Sequence, residues 1–289
     1  MNSKGRFCIG KTGFFCKLPL YGENMKEQTG RDVFDFGRVF QRVIANFKVI
    51  FTKYYIWAIV LVGVPAMLVP FTYQIFNFLK NVFGVSVFEH LGNDPFSGLS
   101  LMFDFFGFTL QAFLWGMLFY ASISTFSGQQ IEIRESFKAS KSVYWRLLIS
   151  YILSALGIFL GLIFFLIPGL WLLCMWAVIG PVLVIEKQSI TSAFGRSVEL
   201  TNGYKWWVFL IIVFLTLMSE FLTFTLRYFL HLVGVADKST GGDFIVVGTV
   251  NAVYFIFVKM VEAITVASLY YELRLVKEGG MESIYSVFD

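Results

Sequence analysis

The chain contains six long apolar segments, and this feature constrains its fold more than any other. Inside a bilayer the backbone N–H and C=O groups have no water partners, so only helices and closed barrels can cross it. Barrel strands alternate apolar and polar residues over about ten positions, whereas most of these segments are apolar on all sides over about twenty residues, which is typical of helices. The sequence therefore predicts an all-α polytopic membrane protein with six transmembrane helices at residues 54–79, 99–126, 147–167, 170–185, 206–233 and 244–275.

The composition excludes an ordinary soluble domain. Hydrophobic residues make up 57% of the 289 positions and charged residues only 15%, whereas soluble domains carry about 25% charged residues. The net charge of +4 comes largely from basic connecting segments. Nothing in this pattern indicates binding to nucleic acid.

The distribution of Lys and Arg predicts the orientation of the chain. Ten basic residues precede residue 54, and the connections before the third and fifth predicted spans and the tail are also basic. The other two connections hold few basic residues. Because loops rich in Lys and Arg stay on the cytoplasmic side, both termini are predicted to be cytoplasmic.

Three regions are expected along the chain: an N-terminal extension at residues 1–32, a six-helix membrane domain at residues 33–278 and a short cytoplasmic tail at residues 279–289. Translation beginning at Met1 and translation beginning at Met25 both remain open. Cys8, Cys16 and Cys174 have neither the spacing of a disulfide framework nor that of a metal site.

Basic amphipathic segments precede the first, third and fifth predicted spans. They predict three short cytoplasmic interfacial helices, in which Arg42, Lys138 and Arg196 are candidates to bind anionic lipid headgroups. An interfacial helix followed by a helical hairpin would then occur three times, as a threefold repeat. The alternative is that any cytoplasmic loop between hairpins tends to be basic and amphipathic.

Two short patterns predict local geometry within the third and fourth spans. Pro168 and Gly169 separate these spans and predict a tight turn between them. Gly157 and Gly161 have the spacing that lets membrane helices approach closely.

A stretch near the middle of the chain carries a family resemblance, and its sequence is IPGLWLLCMWAVIGPVLVIEKQSITSAFGRSVELTNGYKWWVF. It resembles the membrane domain associated with glycerophosphoryl diester phosphodiesterases. The opening DFGRVFQRVIANF and the closing YYELRLVKEGG are similar to bacterial standalone relatives of that group. The resemblance covers about residues 33–289 and implies a multi-pass protein of the bacterial inner membrane.

The phosphodiesterase reaction is not expected to carry over. In that family the chemistry lies in a separate soluble barrel with a histidine and carboxylate metal site, for which this chain has no room. Its only histidines are His90 and His231, and no triad or paired-carboxylate spacing is evident. We therefore expect no catalytic residue, no metal and no cofactor.

Ionisable residues inside the predicted spans are the sharpest functional signal. Glu220 lies near the middle of the fifth span, and Lys259 and Glu262 share one face of the sixth. Because a charge in mid-bilayer costs about 2.5 kcal/mol or more unless it is paired or hydrated, we predict that Glu220 pairs with Lys259, with Glu262 as a second acceptor. Such a cluster would be either a tie between helices or part of a polar pathway.

Two function classes follow from these observations. The first is a membrane-organising module without a catalytic site that binds membrane lipids, a partner protein or a second copy of itself. The second is a small transporter or lipid-handling protein with a polar pathway near Glu220 and Lys259.

Overall fold

The computed structural model describes residues 34–64, 97–130, 132–234 and 241–278, without the side chains at 97–101, 103–104 and 241–246. The predicted N-terminal extension, the tail and His90 lie outside the described residues. Every regular element within these ranges is helical. The helices are α1 (Phe36–Ala58), which a π-helical segment continues over Ile59–Gly63, α2 (Ser97–Phe126), α3 (Ile133–Phe164), α4 (Leu166–Met175), α5 (Ile179–Glu186), α6 (Ile190–Thr201), α7 (Lys205–Leu232) and α8 (Gly241–Glu278).

Within the described ranges, six stretches of helix are long and apolar enough to cross a membrane. They are Phe36–Gly63, Phe105–Phe126, Ile133–Phe164, Leu166–Glu186, Lys205–Leu232 and Val247–Glu278. The predicted fold class, an all-α polytopic membrane protein with six apolar helices, is confirmed. The predicted second, fifth and sixth spans agree with the observed helices to within about three residues at each described end.

Two of the three expected interfacial helices are not separate elements. The amphipathic segment before the first span and the start of that span form one helix from Phe36, and the same holds for Ile133–Phe164. Neither junction contains Gly or Pro, so nothing ends the helix there. Only α6 is separate, because Asn202 and Gly203, with a φ of +89°, end it as the sequence predicts.

The reversal between the third and fourth spans comes earlier than expected. Phe165 is extended, with φ −156° and ψ 132°, and α4 begins at Leu166. Pro168 therefore lies in the first turn of α4, where its missing N–H breaks no helical hydrogen bond. The predicted turn at Pro168 and Gly169 is thus wrong by about three residues, since proline fits a helix start as well as a turn.

Glycine residues let α3 and α4 pack very closely. A Cβ atom on Gly157 would come within 2.5 Å of the Trp176 ring, and one on Gly161 would lie 3.0 Å from Cα of Gly169. The predicted close approach of helices at Gly157 and Gly161 is confirmed.

The C-terminal half of α8 lies at the centre of the fold. Its hydrophobic residues from 263 to 273 are almost all buried, and it packs against α1 and α2. The Ser268 hydroxyl donates to the carbonyl of Val39 at 3.0 Å, and Gly63 packs against Ile256.

Helix α7 lies at the periphery. Only Val208, Ile211 and Leu230 are buried along it. Most of its surface therefore faces outward.

Candidate functional site

The last turns of α8 carry a group of polar residues that bind four other parts of the chain. This group, the polar hub, consists of Tyr270, Tyr271, Glu272, Arg274 and Glu278. The hydroxyl of Tyr271 donates to the carbonyl of Phe126 in α2 at 3.3 Å. The remaining members bind α1, α5 and α6 through two sets of ion pairs.

The first set joins α8 to α1 through a fully buried carboxylate. Arg38 Nη2 lies 2.9 Å from one oxygen of Glu272, and Arg42 Nη1 lies 2.6 Å from the other. The Arg42 guanidinium also lies 4.9 Å from the ring centroid of Tyr271. Asp35 contributes a second negative charge, 3.6 Å from Arg38. Two cations therefore share one buried anion. Removing the carboxylate would leave the two arginines without a buried counter-charge, and removing the arginines would leave the buried carboxylate without one.

This geometry corrects the expectation for Arg42. The residue was predicted to reach lipid headgroups, but its side chain is buried and bound to Glu272. It belongs to the inner face of α1, which includes Val39, Val43 and Ile50 at helical spacing. The amphipathic pattern assigned Arg42 to the wrong face.

The second set joins α8 to α5 and α6. Glu186 accepts hydrogen bonds from the hydroxyl of Tyr270 at 2.8 Å and from Arg196. Arg196 also binds Glu199, at 2.9 Å, and Glu278. Arg274 binds Glu278 at 2.7 Å and donates to the Tyr270 hydroxyl at 3.1 Å.

The Arg196 guanidinium thus binds carboxylates of the same chain. Burial acts to lower the pKa of Arg196, but the hydrogen bonds and negative charges of Glu199 and Glu186 outweigh it and raise the pKa above its ordinary value. The guanidinium remains charged and holds α6 against α5 and α8. Its role as a headgroup ligand stays a prediction. Only a small part of its side chain is exposed to reach a headgroup.

Lys138 is the one predicted headgroup ligand with an exposed side chain. It lies on α3 between Arg134 and Lys141, which are also exposed, and we call these three residues the basic stripe. Within the described part of the chain, no member of the basic stripe forms an ion pair.

Of the predicted intramembrane charges, Lys259 and Glu262 bind each other. Lys259 Nζ lies 2.8 Å from Glu262 Oε2, and the two side chains are 21% and 27% exposed. Lys259 also lies 5.9 Å from the Trp115 ring centroid and 5.3 Å from that of Phe255.

Glu220 does not join this pair. It is exposed on α7 and forms no ion pair within the described ranges, so the predicted bond between Glu220 and Lys259 is not formed. The register of the two helices explains this result. Tyr254 donates to the carbonyl of Ser219 at 2.6 Å, which leaves Lys259 about 7.5 Å further along α8.

The sequence contained a signal for the polar hub that the predictions did not use. Glu272 and Arg274 lie inside the sixth predicted span, where ionisable residues are expensive and need partners. Arg38 and Arg42 lie one helical turn apart, so both can project from the same face of a helix and pair with such a carboxylate.

No group of three His, Cys, Asp or Glu residues capable of holding a metal ion occurs among the residues that the structure describes. Cys174 is buried, and His231 is exposed at the end of α7. No protein-family model, curated protein or solved structure matches the chain.

Proposed function

We propose that this chain is a membrane-organising protein without a catalytic site, which binds anionic lipid headgroups through the basic stripe of Arg134, Lys138 and Lys141. The observation that carries the proposal is the exposure of these three residues on one face of α3 without internal partners. Arg38, Arg42 and Arg196 are instead bound to carboxylates of the polar hub, and Arg146 donates to the backbone carbonyls of Lys187 and Gln188.

The spacing of the basic stripe follows from the packing of α3. Its members recur at i, i+4 and i+7, so they share one face of the helix. The residues two positions after the first two members, Ser136 and Ser140, are buried against α1 and α2. The face that carries the stripe is therefore directed away from the bundle.

The position of the stripe in the helix also favours an anion. Cations near a helix N-terminus oppose the helix macrodipole and weaken the helix slightly. Here Arg134 and Lys138 occupy the first two turns of α3, with Glu135 and the N-cap residue Glu132 offsetting part of their charge. The dipole and the side chains together attract a phosphate group.

The exposed face of α3 changes from basic to apolar along its length. Trp145, which is 69% exposed, follows the stripe, and the exposed residues beyond it are apolar to the end of the helix. Tryptophan is enriched at the boundary between headgroups and acyl chains. The helix from Trp145 to Phe164 is about 30 Å long, which matches the hydrocarbon thickness. The stripe then lies at headgroup level.

Thermal unfolding in neutral detergent tests this proposal. Added phosphatidylglycerol should raise the melting temperature of the full chain more than phosphatidylcholine does, because a ligand that binds only the folded state stabilises it. The double variant Lys138→Gln/Lys141→Gln should lose most of this difference.

The matched control is the double variant Lys48→Gln/Arg227→Gln, which removes two other exposed basic residues. It should keep the full response to phosphatidylglycerol. An undiminished response in the variant of the basic stripe would exclude the stripe as the binding site.

We also propose that the chain is a distant member of the glycerophosphoryl diester phosphodiesterase membrane-domain family, in a bacterial inner membrane. The three stretches that carry the resemblance supply ion pairs in and beside the polar hub: Arg38 and Arg42 come from the opening, Glu186 and Arg196 from the middle, and Glu272 from the closing stretch. A determined structure of a family member in which the corresponding residues do not meet would contradict this assignment.

The second candidate is a small transporter or lipid-handling protein. It is favoured by the partial exposure of the Lys259–Glu262 pair near the middle of α8, where charges commonly mark a polar pathway. A cysteine at position 262 should then react with a water-soluble thiol reagent in sealed vesicles. Complete protection from the reagent would argue against the pathway.

A further inference from the structure

We propose that the exposed face of α7 binds a transmembrane helix of another membrane protein, and that this helix carries a lysine or arginine near mid-bilayer that pairs with Glu220. The proposal goes beyond headgroup binding and does not depend on the basic stripe.

Helix α7 is covered less than any other of the six apolar stretches in the described part of the chain. In its most apolar stretch of eighteen residues 11% are buried, compared with 22% in Phe36–Gly63 and Ile133–Phe164 and 50% in Phe105–Phe126, Leu166–Glu186 and Val247–Glu278. Large side chains such as Leu217, Phe221 and Phe224 are exposed. An apolar surface of this kind suits lipid tails and a partner helix equally well, so apolarity alone does not identify the occupant.

This surface carries a negatively charged residue, Glu220. Glu220 is exposed between Leu217 and Phe224, near the middle of the helix, and has no ion pair among the described residues. Ionisable residues inside spans are expensive and pair with one another or face water. An exposed carboxylate at mid-span, flanked by Leu217 and Phe224 and by the polar residues Thr216 and Thr223, therefore calls for a cationic partner at the same depth.

Apart from another protein, a cation for Glu220 has two sources, the chain itself and a second copy of it. The rest of the first predicted span, residues 65–79, contains no Lys, Arg or His, so it has no cation to offer at mid-depth. In a symmetric dimer through α7, parallel helices would place Glu220 against Glu220 and Arg227 against Arg227. Charge complementarity therefore favours a different protein with a basic residue in its span.

Energy transfer in vesicles tests this surface with a defined probe. The full chain is reconstituted in phosphatidylcholine with synthetic leucine–alanine helices of about twenty residues that carry an acceptor for tryptophan emission near one end. Three probes differ only at the central residue, which is lysine, leucine or glutamate. The seven tryptophans of the chain serve as donors, and two of them, Trp206 and Trp207, lie at the start of α7.

The lysine probe should bind about tenfold more tightly than the leucine probe, and Glu220→Gln should abolish this difference. The matched control, Glu199→Gln, removes an exposed carboxylate from α6 outside the spans and should keep it. Equal binding of the lysine and leucine probes, or a lysine preference that survives Glu220→Gln, would overturn the proposal.

The same vesicles test the second-copy alternative. Single-molecule photobleaching of labelled protein should give one step per spot, at low density, for both the native chain and Glu220→Gln. The contrary result is a dimer that forms in the native chain, disappears in Glu220→Gln and resists dissociation by the lysine probe. That result would overturn the proposal, because it would show that a second copy of this chain binds the exposed face of α7.

Discussion

Glu272 lies at the contact between the first and last helices, with each carboxylate oxygen bound by a different arginine. Its side chain is 0% exposed, and those of Arg38 and Arg42 are 18% and 9% exposed. Burying ions is expensive, and a buried pair contributes little over an apolar replacement, but removing one partner leaves a charge that water cannot reach. The polar hub is therefore more sensitive to single changes than to complete replacement.

Glu272→Gln should lower the free energy of unfolding by about 3–5 kcal/mol, because Arg38 and Arg42 keep their charges without a buried anion. Chemical or thermal unfolding of the purified chain measures the change. The control Glu199→Gln removes a carboxylate that is 68% exposed, and its effect should stay within about 0.5 kcal/mol.

Replacing all three residues of this buried cluster should restore most of this loss. The triple variant Arg38→Met/Arg42→Met/Glu272→Leu removes both signs of charge and keeps the volume, so it should be more stable than Glu272→Gln alone. A triple variant that unfolds at the same point as the single one would show that these side chains stabilise the fold by packing or hydrogen bonding rather than by charge balance.

At the scale of elements, the contact between α3 and α4 depends on glycine residues, which have no side chain to hold the two helices apart. A Cβ atom on Gly169 would meet the backbone nitrogen of Leu162 at 2.6 Å. Since backbone cannot rotate away as a side-chain tip can, the two helices would have to separate. Close helix packing through small residues is a main source of stability inside membranes.

Gly169→Ala should therefore destabilise the protein by about 1–3 kcal/mol through overpacking. Gly195→Ala is the matched control, because Gly195 lies within α6 and a Cβ atom added there would have no neighbour within 4 Å. That change should be neutral or stabilising by up to about 1 kcal/mol. Comparing the two melting temperatures checks the contact, and an equal effect of both substitutions would contradict it.

Arg196 holds α6 in place, which gives a prediction about local motion. Arg196→Gln removes the cation that binds Glu186 and Glu278, so amide hydrogen exchange in residues 190–201 should become faster. Arg196→Lys should restore protection only in part, because one ammonium cannot reproduce the several bonds of a guanidinium. Arg134→Gln on the exposed face of α3 should leave exchange in α6 unchanged.

The sequence predicted elements better than it predicted contacts between them. The apolar spans could be located because each has to satisfy its backbone bonds internally, and α6 because Gly203 ends it. The amphipathic segment and the first span form one continuous helix, α1, because no residue between them ends the helix. An amphipathic pattern does not show whether such a segment is separate from the span that follows it. The pairing of Glu272 and the separation of Glu220 from Lys259 depend on helix register, which is decided by packing between distant parts of the chain.

At the scale of the whole molecule, the length and number of the spans decide which loops share a side of the membrane. Helix α7 has 28 residues and is therefore about 42 Å long, more than the roughly 30 Å of hydrocarbon. Its two ends must then lie on opposite sides if it crosses the bilayer. The Lys and Arg distribution predicts that its first end, next to Asn202, is cytoplasmic.

Single cysteines test this arrangement in a background with Cys8, Cys16 and Cys174 replaced by alanine. A cysteine at position 239 should react with a membrane-impermeant thiol reagent added to intact cells, whereas a cysteine at position 202 should react only after the membrane is opened. Because the two positions flank one span, six crossings with both termini inside require opposite results. The same result at both positions would mean that α7 does not cross the membrane, and the chain would then have an odd number of spans or a re-entrant helix.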